Sequence, residues 1–168
     1  MSEIEETTQQ EMPQESTPET PETPETPETT PTVSTSVLNL AVEAVMNMID
    51  ELTPFAPITR GALGIYNSLS CEIAPSVPDA VFYDKNSYIP LTLALNGKHD
   101  DLQTLSDTMN TIIDTLTRKT TYTSGDGWEI VDITSGNLPR VIGREDNNSW
   151  VMAADLVVKI YRKDNETT

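Results

Sequence analysis

The chain has 168 residues, enough for a single domain, and its 27 acidic and 10 basic side chains give a formal net charge of −17. So acidic a surface repels other polyanions, which argues against tight binding to nucleic acid or to an anionic membrane. One cysteine, Cys71, is too few for an internal disulfide framework, and no apolar run approaches the roughly 20 residues that span a bilayer. The N-terminus lacks the basic start and apolar stretch of a signal peptide, so we expect a reducing, cytoplasmic setting.

Residues 1–34 are predicted to form a disordered acidic arm. The stretch repeats Pro-Glu-Thr from Pro18 to Thr29 and contains nine Glu but no Lys or Arg. Such a composition cannot bury enough apolar surface to offset the entropy of the chain. Residues 35–162 are predicted to form the folded domain, and residues 163–168 a frayed polar tail.

The domain is predicted to begin with a helix. Thr35 and Ser36 can cap it, because their hydroxyls can accept the free backbone N–H groups of the first turn. Pro54 ends it. An apolar stripe at helical spacing supports the prediction and consists of Leu38, Ala41, Val42, Val45, Met48, Ile49 and Leu52.

A strand is expected after this helix. Residues 54–66 are punctuated by proline and glycine, which predicts irregular chain. Residues 68–74 alternate between apolar and other side chains, which indicates a half-buried strand. Leu69, Cys71 and Ile73 would then face inward, and the Cys71 thiol would be a structural group without a cationic partner.

The second half of the domain is predicted to open with a strand and a long helix. Residues 88–96 alternate, with three leucines on one face, and Asn96 and Gly97 are expected to turn the chain out of this strand. Residues 100–117 carry apolar side chains at helical spacing, and Asp100 occupies the capping position of that helix.

Two further strands complete the predicted domain. Residues 124–127 are a strong turn signal before a strand that begins at Trp128. Strict alternation would place Trp128 and Ile133 on opposite faces of that strand. Residues 143–149 are expected to turn the chain into the last strand, residues 150–161, which has one apolar and one mixed face.

The order helix, strand, strand, helix, strand, strand predicts an α+β fold. We expect a small, mostly antiparallel four-stranded sheet that two helices cover on one face. The other face of the sheet, which is partly apolar, would then be available to a neighbouring subunit.

No catalytic, cofactor-binding or metal-binding constellation is predicted. His99 is the only histidine, and Asp100 and Asp101 follow it, but these three residues at a turn do not converge on a metal or form an acid–base pair. The acidic run after Arg144 lacks the spacing of a calcium loop, and no phosphate-binding loop occurs. We therefore expect no cofactor and no enzyme activity, with an enzyme built on His99 as a minor alternative.

Several short motifs, in their order, resemble one family. Asp84-Lys85 precedes Leu-Asn-Gly-Lys-His at 95–99, and Thr-Leu-Ser-Asp-Thr-Met-Asn follows at 104–110. Gly-Trp-Glu-Ile-Val-Asp-Ile stands at 127–133 and Ile-Gly-Arg-Glu-Asp-Asn-Asn-Ser-Trp at 142–150. With the last strand, these motifs cover most of the domain and resemble a small minor capsid protein of long-tailed bacteriophages. Members of that family look like tail terminators.

The resemblance implies a structural virion protein at the head–tail junction. Tail terminators form a ring, usually a hexamer, that caps the tail tube and joins it to the head connector. The implied partners are other copies of the chain, the tail tube protein and a head-completion or connector protein. DNA would pass through the ring without specific binding, and the family supplies no catalytic residues. The acidic arm lies outside the family pattern.

A ring requires a head-to-tail contact that closes, and the mixed face of the last strand is a candidate for it. The candidate subunit-contact residues are Val151, Ala153, Val157 and Tyr161. A second function, from another class, is a capsid-surface decoration or adhesion module that uses the arm as a disordered spacer.

Overall fold

The computed structural model describes residues 36–76, 82 and 86–163. The predicted acidic arm, and the predicted tail except for Lys163, lie outside the described residues. The described part contains two helices and one curled six-stranded sheet, and its class is α+β as expected.

The helices and strands follow one another along the chain as α1 (Val37–Asp50), β1 (Ile58–Arg60), β2 (Ser68–Ala74), β3 (Ser87–His99), α2 (Leu102–Arg118), β4 (Ser124–Gly125), β5 (Trp128–Arg144) and β6 (Trp150–Arg162). Across the sheet the strand order is β1-β2-β3-β6-β5-β4. Only β1 and β2 pair in parallel, and the other neighbours are antiparallel. α2 packs across β3, β6 and β5, and α1 packs beside β1.

The predicted four-stranded sheet is wrong, because the sheet has six strands. β1 lies within residues 54–66, where the prolines and glycines predicted irregular chain, and β4 lies within the predicted turn at 124–127. Strands of three and two residues are too short to show a period of two. Their backbone pairing with β2 and β5 makes them part of the sheet.

β3 and β6 form the centre of the sheet and pair antiparallel along their whole lengths. The inward residues of β6 are the buried side chains of Met152, Ala154, Leu156, Val158 and Ile160. Because successive side chains of a strand point to opposite faces, the residues between them face away from the core.

Gly97 is part of β3, so the predicted turn at Asn96 and Gly97 is wrong. The lack of a side chain at Gly97 makes room for α2. A Cβ atom at this position would lie 2.7 Å from Leu105 Cδ1 and 3.2 Å from Met109 Sδ. Gly97 therefore lets α2 approach the middle of the sheet closely.

Both helices begin at a side-chain cap. The Ser36 hydroxyl accepts a hydrogen bond from the Leu38 N–H at 3.3 Å, as the sequence predicted. α2 begins one residue later than expected, because Asp101 and not Asp100 is its cap and accepts the Thr104 N–H at 2.9 Å. No helix in the described ranges is long and apolar enough to cross a membrane.

β5 departs from strict alternation. Its register with β6 shifts four times, first between Ile130 and Asp132. This irregularity changes which side chains face inward, so that Trp128 and Ile133 both lie in the core. The prediction that they lie on opposite faces is wrong for that reason.

Cys71 and Leu69 lie in the core, as predicted, and each is 1% exposed. Burial raises the pKa of the Cys71 thiol, which disfavours the reactive thiolate. Ile73 was expected to be buried with them but is 42% exposed. β1 pairs with β2 only as far as Cys71, so no described strand lies beside Ile73 on that edge.

The close approach at Gly97 generates a stability prediction. We expect Gly97→Ala to lower the free energy of unfolding by about 2 kcal/mol, because the new methyl group overpacks the contact with α2. Gly143→Ala is the matched control, since a Cβ there would meet no atom within 4 Å. This control should leave stability unchanged or raise it by up to about 1 kcal/mol, because alanine restricts the unfolded chain. Urea unfolding measures both, and equal values for the two variants would contradict the packing argument.

Candidate interaction surface

The four candidate contact residues lie together on one face of the sheet. Val151, Ala153, Val157 and Tyr161 alternate with the buried residues of β6, and each is half-buried. Both described helices contribute their apolar stripes to the core on the opposite side. We call the side of the sheet that carries these four residues the outer face.

Small and polar side chains make up most of the outer face. Asp155 accepts a hydrogen bond from the Asn137 side chain, which links β6 to β5. Short side chains let another protein surface approach the strands closely. Besides the four candidates, the strand register places here Thr92, Ala94 and Asn96 of β3, Asp155 of β6, and Thr134, Asn137 and Arg140 of β5.

Aromatic side chains gather at one end of the outer face. Tyr161 lies opposite Tyr88, with ring centroids 5.2 Å apart, and Phe82 meets Tyr88 edge-on at 5.6 Å. The Lys159 ammonium lies 4.4 Å from the centroid of the Tyr88 ring. Aromatic side chains are enriched at protein interfaces. The sequence analysis singled out Tyr161 but not Tyr88 and Phe82, because those two side chains come from a distant part of the chain.

An ion pair between a buried lysine and a partly exposed glutamate lies at the other end of the outer face. Lys98 is 5% exposed, and its Nζ lies 2.9 Å from Glu145 Oε2. A buried ammonium requires such a partner, because removal from water is costly for an unpaired charge. Lys98 belongs to the motif at 95–99 and Glu145 to the motif at 142–150. The pair therefore joins two of the motifs that the sequence analysis singled out.

The residues around His99 form a helix cap. His99 Nδ1 accepts a hydrogen bond from the Asp101 N–H at 2.9 Å, and Phe55 packs edge-on against the imidazole ring. The hydroxyl and N–H of Thr104 donate to the Asp101 carboxylate and hold the pKa of that carboxyl below its usual value. Within the described residues, no three His, Cys, Asp or Glu side chains are grouped to hold a metal ion.

The acidic run after Arg144 is a tight turn between β5 and β6. The Glu145 N–H donates to the Ser149 carbonyl at 2.9 Å, and the Asn147 side chain accepts the Ser149 N–H at 3.0 Å. Asn148 has a φ of 68°, a left-handed conformation that asparagine tolerates better than most residues. The backbone groups of Glu145 and Ser149 and the side-chain oxygen of Asn147 are thus used for hydrogen bonds within the hairpin.

No protein-family model matches the sequence, and no curated protein sequence is significantly similar to it. Evidence for a function therefore comes from the outer face, from the side chains around it and from the order of the motifs.

The Lys98–Glu145 pair generates a prediction about stability. We expect Glu145→Ala to lower the free energy of unfolding by about 1–2 kcal/mol, because the Lys98 charge loses its partner while Glu145 itself is partly exposed. The double variant Lys98→Met/Glu145→Ala should recover most of the loss, since no buried charge remains. Glu43→Ala, on the exposed side of α1, is the control. A Glu145→Ala protein as stable as this control would contradict the claim that the Lys98–Glu145 ion pair stabilises the fold.

The cap of α2 generates a prediction about pH. Because the pKa of Asp101 is lowered in the folded state, its ionised form stabilises the fold above the pKa of the unfolded chain. This contribution is lost as the pH falls through the lowered pKa. Asp101→Asn keeps a capping side chain but cannot ionise. Thermal unfolding from pH 2 to 7 should therefore show a steeper loss of stability below pH 4 for the parent protein than for the variant. The same dependence of thermal stability on pH in both proteins would contradict a stabilising role for the ionised Asp101 cap.

Proposed function

We propose that the protein is a structural virion protein, a tail terminator that forms a ring at the head–tail junction of a long-tailed bacteriophage. In this role it caps the tail tube, contacts the tube protein on one side and a head-completion or connector protein on the other, and assembles in the host cytoplasm. The order of the sequence motifs supports the family, and the architecture of the sheet supports repeated contact between copies.

The observation that carries the proposal is the outer face, which neither of the described helices covers. Both described helices pack on the core side, whereas the outer face presents the half-buried side chains of Val151, Ala153, Val157 and Tyr161. A sheet face that exposes apolar side chains is typical of a surface that another protein covers. Its aromatic end adds side chains of the kind that are enriched in interfaces.

A ring made of identical copies requires two different surfaces on each copy. Only a head-to-tail contact between unlike surfaces can repeat around an axis and close. The outer face supplies one of these surfaces. The protein then acts through the geometry of the assembled ring.

The charge of the chain suits a ring through which DNA moves. Each copy carries a formal net charge of −17, and several copies around one bore add their fields. An acidic wall repels the phosphate backbone, so the genome passes without adhering. The negative charge therefore supports a role as a channel for DNA, in which sequence-specific contacts with the DNA are not required.

Assembly of the purified full-length protein tests the proposal. We expect rings, usually of six copies, in native mass spectrometry and negative-stain electron micrographs, with or without purified tail tubes. Ala153→Arg places a long cation among short side chains of the outer face. It should raise the concentration for half-assembly about tenfold, equivalent to about 1.4 kcal/mol of contact energy. Glu43→Arg, on the exposed side of α1, should assemble like the parent protein.

A protein that remains a monomer at every concentration, with tail tubes present, would overturn the ring. Gold labelling of the chain on purified virions separates the two functions. Label at the neck supports the terminator, whereas label spread over the head lattice supports the decoration or adhesion module.

A further inference from the structure

The most exposed large apolar side chains of the described residues fall into two separate patches. Ile65 and Tyr66 are 77% and 83% exposed, in the loop between β1 and β2. Leu138 and Ile142 are 72% and 56% exposed, and both lie on β5. We call the first pair the knob and the second pair, together with Val141, the rim. In the sheet, β2 and β5 are three strand spacings apart, about 14 Å.

The knob is held by hydrogen bonds at the base of its loop. The Gly64 N–H donates to the Ser68 hydroxyl at 3.0 Å. Asn67 and Asp100 exchange two bonds, since the Asn67 amide donates to the Asp100 carboxylate and the Asp100 N–H donates to the Asn67 side chain. A contact loop that is fixed before binding loses less entropy when it docks.

The rim borders an open groove on the helix side of the sheet. Leu138 lines this groove, whose volume is about 600 Å³, together with side chains of α2 and β5. Val141 lies opposite the core residue Met152 and so points to the same side as the core. β4 pairs with β5 only at Trp128 and Glu129, so on the edge of β5 away from β6 no described strand lies beside the rim. An apolar side chain can therefore enter the groove from outside.

The charges beside the two patches are opposite. Asp100, next to the knob, has a side chain that is 74% exposed. Arg140, next to the rim, is exposed, and no carboxylate of the described residues forms an ion pair with it. Asp114, which lines the groove, is already paired with Arg118. The knob of a second copy thus presents apolar side chains that match the apolar rim and a carboxylate that complements the charge of Arg140.

We infer, building on the ring proposed above, that the knob of one copy docks into the rim groove of the next, with Asp100 facing Arg140 of the neighbouring copy. The contact joins unlike surfaces, so it can repeat around the ring. Arg140 lies on the outer face, whereas the groove opens on the helix side, so the neighbouring copy meets β5 from its open edge. The knob is then the second, unlike surface that closure of a ring requires.

Two variants that each lack one patch test this contact. Tyr66→Asp removes the knob and leaves the rim, and Leu138→Asp removes the rim and leaves the knob. Both positions are highly exposed, so circular dichroism and thermal unfolding should match the parent protein. Glu43→Arg, on the exposed side of α1 and outside both patches, is the control and should form rings.

Neither patch variant should form rings alone, but an equal mixture should give a dimer with one copy of each, because a single intact contact remains. Native mass spectrometry reads this directly, since isotope labelling of one variant separates mixed from identical pairs. Rings from either variant alone, or no mixed dimer although the parent protein forms rings, would overturn the contact and leave the ring standing. A parent protein that never assembles would instead overturn the proposed function.

Discussion

The antiparallel pairing of β3 with β6 along their whole lengths is the constraint on which the rest of the domain depends. Because side chains alternate along each strand, one register assigns the leucines of β3 and the apolar residues of β6 to the core together. The same register assigns every intervening residue to the outer face. A slip by one residue would exchange the two faces, so burial of the core also determines which surface is offered to partners.

The two ends of this central pair are secured by different interactions. At one end Gly97 allows α2 to pack closely against the sheet. The next residue, Lys98, points to the other face and forms an ion pair with Glu145 of the hairpin between β5 and β6. At the far end Tyr88 and Tyr161 stack across the two strands. The motifs at 95–99 and 142–150 thus have a structural explanation. They place a close helix contact and the ion pair of the buried Lys98 side by side, and this explanation does not depend on any partner.

Burial on one side of the sheet is also the reason why we propose assembly as the function. The two described helices cover one face of the six-stranded sheet. No described helix covers the other face, and no described strand pairs with the edge of β5 beyond Glu129. Exposed apolar residues at the knob and the rim carry a cost in solubility that a lasting contact would remove. The high acidity of the chain offsets that cost in separate copies, because like-charged copies repel one another at long range.

The sequence by itself determined the α+β class, both helices, the four longer strands and the outward residues of β6. Each of these rests on a period of 3.6 or 2 that is repeated over many residues. Only the tertiary structure decided that β1 and β4 belong to the sheet, that Trp128 and Ile133 share a face, and that Lys98 meets Glu145. The physical reason is that very short strands, bulges and ion pairs between residues far apart in sequence are stabilised by neighbours from elsewhere in the chain. The local pattern of apolar and polar residues does not indicate which residues those neighbours are.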